Sequence, residues 1–224
     1  MFSVSDECIR LGLRSGAVVF RNVRIEPAPA ALRAEIARKV QAIRATLADP
    51  TEIRTLDEVV AFQEILKKVG VNPRKEQPSV ERLLAGVLKR GDLPAINSLV
   101  DAYNLVSVRS RCSMGAHDLD TFTPPVVLRI LNGRETFTPL GKTDPAPVTA
   151  GEFGYVDAAD RLLCRLDLLQ ADFSKVMART TNALLIIEGT AAHAPEKIRQ
   201  TFSDAMELIT RYCGGTAEIV SCPV

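Results

Sequence analysis

The hydrophobic period of this chain changes once, and that change restricts the fold more than any other feature. Between Leu32 and Tyr103 apolar residues return at three- and four-residue steps; beyond Pro124 and Pro125 they come in short runs broken by turn residues. Leu32, Ile36, Val40, Ile43 and Leu47 share one helical face, and Pro50 ends that helix. Thr55 and Glu58 have capping-box spacing and open a second helix, with Leu56, Val59, Val60, Ile65, Leu66 and Val69 as its apolar set and Gly70 as its stop. Ser79 caps a third, striped by Val80, Leu83, Leu84, Val87 and Leu88 and closed by Gly91. A fourth starts near Pro94 and turns Ile96, Leu99, Val100 and Tyr103 inward, gathering Asn97, Asp101 and Asn104 on another face. Such a polar face suits either solvent and local caps or the wall of a binding pocket.

The strand signals lie at both ends of the chain. Residues 17–25 are β-branched and run into Pro27 and Pro29, which predicts a strand before the helices. Residues 126–131 and 134–140 flank Asn132-Gly133, a hairpin signal. Residues 153–157 and 161–168 form a second strand pair, and the apolar run 182–189 predicts a strand buried on both faces. A helix over 195–213 and a strand over 216–222 follow. The expectation is an α+β protein, a mixed β-sheet domain with flanking helices behind a mostly helical N-terminal segment. Residues 1–69 would pack on a domain formed by residues 70–224.

Composition removes several function classes. No apolar run approaches the roughly 20 residues of a membrane span, and Asp6 and Glu7 stand where a secretory signal would be basic and then apolar. The expected setting is the cytoplasm, with no membrane partner. Five scattered cysteines without a C-x-x-C pair, joined by only two histidines, argue for reduced buried thiols and no metal site. Net charge is +1, but residues 67–111 carry nine basic residues against four acids. Lys67, Lys68, Arg74, Lys75, Arg82, Lys89 and Arg90 are the candidates for a phosphate-binding stripe; the plainer reading is a solvated helical face.

Phosphate loops, dinucleotide fingerprints, nucleophile elbows and zinc-protease motifs are all absent. A longer pattern remains. It runs from Pro78-Ser79-Val80-Glu81 through Asn97, Val100-Asp101, Tyr103-Asn104 and Ser107 to Gly115, His117-Asp118 and Asp120. Arg129, Gly133-Arg134-Glu135, Tyr155-Val156-Asp157, Leu163-Cys164-Arg165 and Thr180-Thr181-Asn182 through Glu188 continue it. Over roughly residues 70–212 this resembles the B3/B4 editing domain of the phenylalanyl-tRNA synthetase beta subunit, especially free-standing members of that family. The resemblance implies trans-acting hydrolysis of the ester of a mischarged aminoacyl-tRNA, tyrosine on phenylalanine tRNA or a related pairing, with tRNA and not DNA as partner and no cofactor. The alternatives are a non-catalytic tRNA- or RNA-binding module and an enzyme or binder acting on a free amino acid.

Through the resemblance Asn104 matches the family's pocket asparagine, and Glu188 becomes the acceptor for a side-chain hydroxyl. The family's editing histidine falls at Gly115 here, and His117 stands two positions later. His117, Asn104 and Thr181 are therefore the catalytic candidates, with Glu188, Asp101, Arg129, Arg165 and Asp118 on the substrate. Each has a plainer reading. Asp118 either orients His117 or caps a turn. Arg129 and Arg165 bind phosphate or carboxylate, or else pair with Glu135 and Asp157 across a sheet. Cys164 is more naturally a small buried hydrophobe than a nucleophile, and Thr180 to Asn182 suit a turn entering a strand.

Overall fold

In the computed structural model, which describes residues 1–47 and 49–223, the chain opens with β1 (Phe2–Val4), α1 (Asp6–Leu11) and β2 (Leu13–Arg21). Five helices follow: α2 (Ala30–Thr46), α3 (Pro50–Ile53), α4 (Asp57–Lys68), α5 (Ser79–Arg90) and α6 (Ser98–Ser110). The remainder is β3 (Ser113–Asp118), β4 (Val126–Ile130), β5 (Phe153–Val156), β6 (Leu162–Arg165), β7 (Leu169–Gln170), β8 (Asn182–Thr190), α7 (Pro195–Cys213) and β9 (Thr216–Ser221). One sheet has the order β1-β4-β5-β6-β7, with β1 parallel to β4; the other is antiparallel, β3-β8-β2-β9. This is the α+β class the period change predicts.

The strand β8 sits inside the second sheet. It pairs with β2 from Leu13↔Thr190 to Arg21↔Asn182 and with β3 from Ser113↔Glu188 to Asp118↔Ala183. Because strand side chains alternate, Ala183, Leu185 and Ile187 pack toward α6 and α7, while Leu184 and Ile186 pack toward the first sheet with Phe153 and Tyr155. An apolar run without alternation is what a strand covered on both faces requires. Burying each of its large side chains contributes about 1.5–3 kcal/mol. Glu188 shares the face of Leu184 and Ile186, and so points between the sheets.

Several local expectations are corrected. The first strand starts at Leu13 and ends before Val23 and Ile25, which pack into the helical side of the core. Leu56 is the N-cap of α4, and Thr55 Oγ1 donates instead to the Glu52 carbonyl at 2.8 Å. Ser79 is the first residue of α5, and its hydroxyl donates to the Asp167 carbonyl at 2.5 Å. Near Pro94 the chain stays non-helical: α6 begins at Ser98, capped by Asn97 accepting from the Val100 amide, and Ile96 is 62% exposed. The Asn132-Gly133 turn forms, yet its flanks do not pair. Glu135 accepts from both turn amides, and Phe137 buries beside Leu131, Val156 and Leu162, so β4 takes β1 and β5 as neighbours. The pair β5 and β6 forms, but leaves the ladder after Arg165.

Gly154 lies in β5 between two ladders, where an added methyl would meet Leu162 Cδ1 at 2.5 Å and the Cys164 carbonyl at 2.8 Å. The carbonyl belongs to a paired strand and cannot swing away. Gly154→Ala is expected to destabilise by about 1–3 kcal/mol, read as a lower urea midpoint at unchanged slope.

Candidate functional site

Helices α5 and α6 stand over β3, and the gap between them forms two cavities of about 350 Å³ and 300 Å³. The outer one is lined by Arg82, Arg90, Pro94, Asn104 and Ser107 among others. The inner one is lined by Tyr103, Gly115, His117, Tyr155, Asp167 and Ile186 among others. Ser79, Arg82 and Met114 line both, so the two meet along that edge. The result is a cleft with two guanidinium groups at its open part and aromatic, apolar and acidic side chains in its deeper part.

Behind the inner cavity lies a buried polar cluster. Glu188 is 1% exposed and accepts a hydrogen bond from the Tyr155 hydroxyl through Oε2; Ser15 Oγ lies 3.2 Å from that hydroxyl. Ser15, Glu188 and Ser113 occupy one row across β2, β8 and β3. Asp167 enters from the turn after β6. Burial pushes its carboxyl up to about 7, and burial together with the Asp167 charge pushes Glu188 well above the usual carboxylate range. Glu188 does not line either cavity; Asp167 and Tyr155 stand in front of it.

Gly115 and His117 share one face of β3, and the imidazole leans back along the strand. A methyl built on Gly115 would lie 4.0 Å from His117 Nε2, so the ring borders the space that a side chain at position 115 would enter. Nδ1 lies 2.9 Å from Ser174 Oγ. With Nδ1–H donating to Ser174, Nε2 keeps its lone pair for the cavity. Burial lowers the pKa of His117 to about 3, so the ring is neutral at pH 7.

Of the remaining sequence candidates, Asn104, Arg82, Arg90 and Cys164 line the cleft and the others do not. Asp101 is fully buried, accepting from the Ile96 amide and pairing with Arg33 at 3.5 Å; it locks the start of α6. Asp118 points away from His117 by strand alternation and accepts from the Asp120 amide and the Thr180 hydroxyl, closing the turn beyond β3. Thr181 is exposed before the far end of β8 from Glu188, its carbonyl bonded to the Val23 amide. Arg129 is occupied by Glu135 at 2.5 Å and Asp160 at 3.0 Å, and Arg165 holds Glu152 through two hydrogen bonds of 2.5 and 2.6 Å. Asp157 belongs instead to Arg161, at 2.7 Å. These carboxylates consume the fork geometry that a phosphate would need.

Lys67 pairs with Glu64, Lys68 reaches the Leu11 carbonyl, and Arg74, Lys75 and Lys89 are exposed away from the cleft lining. Cys164 is buried against the acidic cluster, which together with desolvation pushes its thiol well above the usual range and removes it as a nucleophile. Asp167 is the site residue that sequence reasoning missed. It falls within 161–168, which reads as one continuous strand, and the left-handed φ angles of Leu166 and Asp167 that break the strand have no local signal. Among the described residues no group of three or more His, Cys, Asp or Glu side chains is placed to hold a metal ion, and no helix is long and apolar enough to cross a membrane.

Two sheets with a helix-walled cleft and a buried acidic floor define an α+β domain. The chain belongs to the B3/4 domain family, whose model matches residues 61–214. Among solved structures it is similar to an N-terminal fragment of the phenylalanyl-tRNA synthetase beta subunit from Pyrococcus horikoshii, at 12% identity and a TM-score of 0.51. That match covers 97% of this chain and 50% of the fragment, so the chain spans about half the fragment's length. No curated protein sequence matches it.

A buried acid with a raised pKa keeps its proton in the native state after the unfolded chain has released it. Its stabilising contribution is therefore complete below the unfolded pKa and falls as pH rises toward the native one, by up to about 1.4 kcal/mol per pH unit for each group. For Glu188 the fall starts near pH 4.5. The stability of Glu188→Gln relative to the unmodified protein is expected to rise between about pH 5 and pH 7, as read from urea midpoints at the two pH values.

Proposed function

We propose that the cleft binds the aminoacylated 3′ end of a tRNA and hydrolyses the ester, so that the chain edits mischarged tRNA in trans. The observation that carries this reading is the meeting of the two cavities at Ser79, Arg82 and Met114: a basic part for phosphate and a deeper, partly apolar part of about 300 Å³ for an amino acid. Family membership supports the reading, and so does the likeness in fold to a synthetase beta-subunit fragment.

In this reading the terminal phosphates lie against Arg82 and Arg90, and the Asn104 amide holds the ribose or the ester carbonyl. The amino-acid side chain, tyrosine among the candidates, enters between Tyr103, Tyr155 and Ile186. His117 Nε2 accepts from a water near the Gly115 backbone, and Ser174 fixes the ring through Nδ1. Because burial makes the imidazole a weak base, it positions the water more than it removes a proton. Attack on the ester carbon releases a free amino acid and an uncharged ribose hydroxyl, which takes up the proton.

Incubation of the purified protein with a panel of radiolabelled aminoacyl-tRNAs, tyrosyl-tRNA for phenylalanine included, is expected to release amino acid from at least one. Asn104→Ala and His117→Gln should each lower kcat/KM about a hundredfold or more in protein that remains folded by circular dichroism at the assay temperature. Salt-sensitive tRNA binding without turnover would favour a non-catalytic module, and no release across the panel would overturn editing.

A further inference from the structure

Helix α5 turns one stripe of side chains toward the outer cavity: Ser79, Arg82, Leu83 and Arg90 all line it. Their spacing places Gly86 in the middle of the same stripe, three residues after Leu83 and four before Arg90. Glycine is disfavoured inside a helix, because it adds no side-chain contact and gives up the most backbone freedom. No turn demands it here, since residues 79–90 are helical throughout. Gly86 is nonetheless buried.

What covers it is the Arg90 side chain. A methyl built on Gly86 would run into that guanidinium: its three nearest heavy atoms are Arg90 Nη2, Cζ at 3.0 Å and Nη1 at 3.1 Å. The guanidinium therefore lies against the helix one turn back from its own Cα, in the space a side chain at 86 would take. A cation in the last turn of a helix commonly serves the free carbonyls there, but Arg90 reaches away from them, back toward the N-terminus. Arg82 in the same stripe is tied to the Leu168 carbonyl at 2.8 Å, whereas the Arg90 side chain has no hydrogen bond or ion pair among the described residues.

We infer that Gly86 is a positioning residue: by lacking a side chain it lets Arg90 fold back into the outer cavity, where the guanidinium holds a phosphodiester of an RNA strand. A guanidinium suits that role through its paired donors and fixed charge. Arg82 and Asn104 add donors, and no acidic side chain among the described residues lines this cavity, so an anion meets no opposing charge there. An alanine at 86 would keep the helix and its charge but push the guanidinium outward, toward solvent. The inference rests on the reading that the cleft takes RNA; it needs no ester hydrolysis.

Fluorescence anisotropy of the full chain with a labelled RNA hairpin ending in an unpaired, unacylated CCA 3′ end, at salt from about 50 to 200 mM, tests this. Gly86→Ala is expected to raise the melting temperature by about 2–4 °C, alanine being the better helix former. It is expected all the same to weaken RNA binding about three- to tenfold and to lower the salt slope by about 0.7 to 1. A lost packing contact would move stability the other way. Arg90→Gln is expected to weaken binding to the same extent, and Gly86→Ala added to it to lose no further affinity. Unchanged RNA affinity in Gly86→Ala, a further loss of the same size in the double variant, or no salt-sensitive binding by the unmodified protein would overturn the inference. Binding of AMP but not of the RNA would assign the cavity to a free nucleotide and overturn it equally. Deacylation with RNA binding indifferent to Gly86→Ala removes this inference and leaves editing; Gly86-dependent RNA binding without deacylation does the reverse.

Discussion

Everything in the molecule is referred to the pairing of β8 with β2 and β3. That ladder joins residues 13–21 to residues 182–190, so nearly the whole length of the chain closes as a loop around one strand. Closing such a loop is entropically expensive and is offset only if the strand buries apolar surface on both faces, which β8 does. The cleft inherits its rigidity from this arrangement. His117 is on β3, one strand from β8, and the row Ser15, Glu188, Ser113 crosses the same three strands, so the polar cluster cannot shift without breaking the ladder.

Burying carboxyl groups between two sheets is unfavourable unless they are neutral or well bonded. Glu188 is bonded on one oxygen by Tyr155, and burial raises its pKa and that of Asp167, which favours the neutral form of each. The outer parts of the first sheet handle charge in the opposite way. Arg161 with Asp157 and Arg165 with Glu152 are two-bond contacts and Arg129 with Glu135 a single one, and the Asp157 and Glu135 carboxylates also accept from backbone amides of their own turns. Charges that tie loops down are fully paired, whereas those beside the cleft are left short of partners, and that difference separates the site from the scaffold.

The same distinction explains what was legible in the sequence. Helical stripes and the unbroken apolar run of β8 are local patterns, and α2, α4, α5, α6, α7 and β8 follow them closely. The polarity of Glu188 in that run, the position of Asn104 and the glycine at 115 were equally visible. The pairing of charged side chains was not, since Arg129 and Arg165 carry no mark showing whether their carboxylates come from the protein or from a ligand. Nor did the Asn132-Gly133 turn declare its strands: burial of Phe137 decided against a hairpin, and that is a contact with Val156 and Leu162, distant in sequence. Asp167 was hidden for the same reason, because the bonds from Phe153, Ser79 and Arg82 that impose its turn come from three other segments.

Gly115 and His117 both line the inner cavity. Two residues along a strand return to the same face about 7 Å further on, so a side chain two positions from Gly115 stays on the cleft side of the sheet. A displacement by one would send it into the opposite core. The side chain at 117 recovers part of the distance by leaning toward 115, and glycine there leaves the space open for the ring and for water. In exchange the imidazole is more deeply enclosed, fixed by Ser174 and held neutral. Its chemistry is thereby confined to hydrogen bonding, so the polarity of this cleft comes from the acids of its floor and the arginines of its mouth.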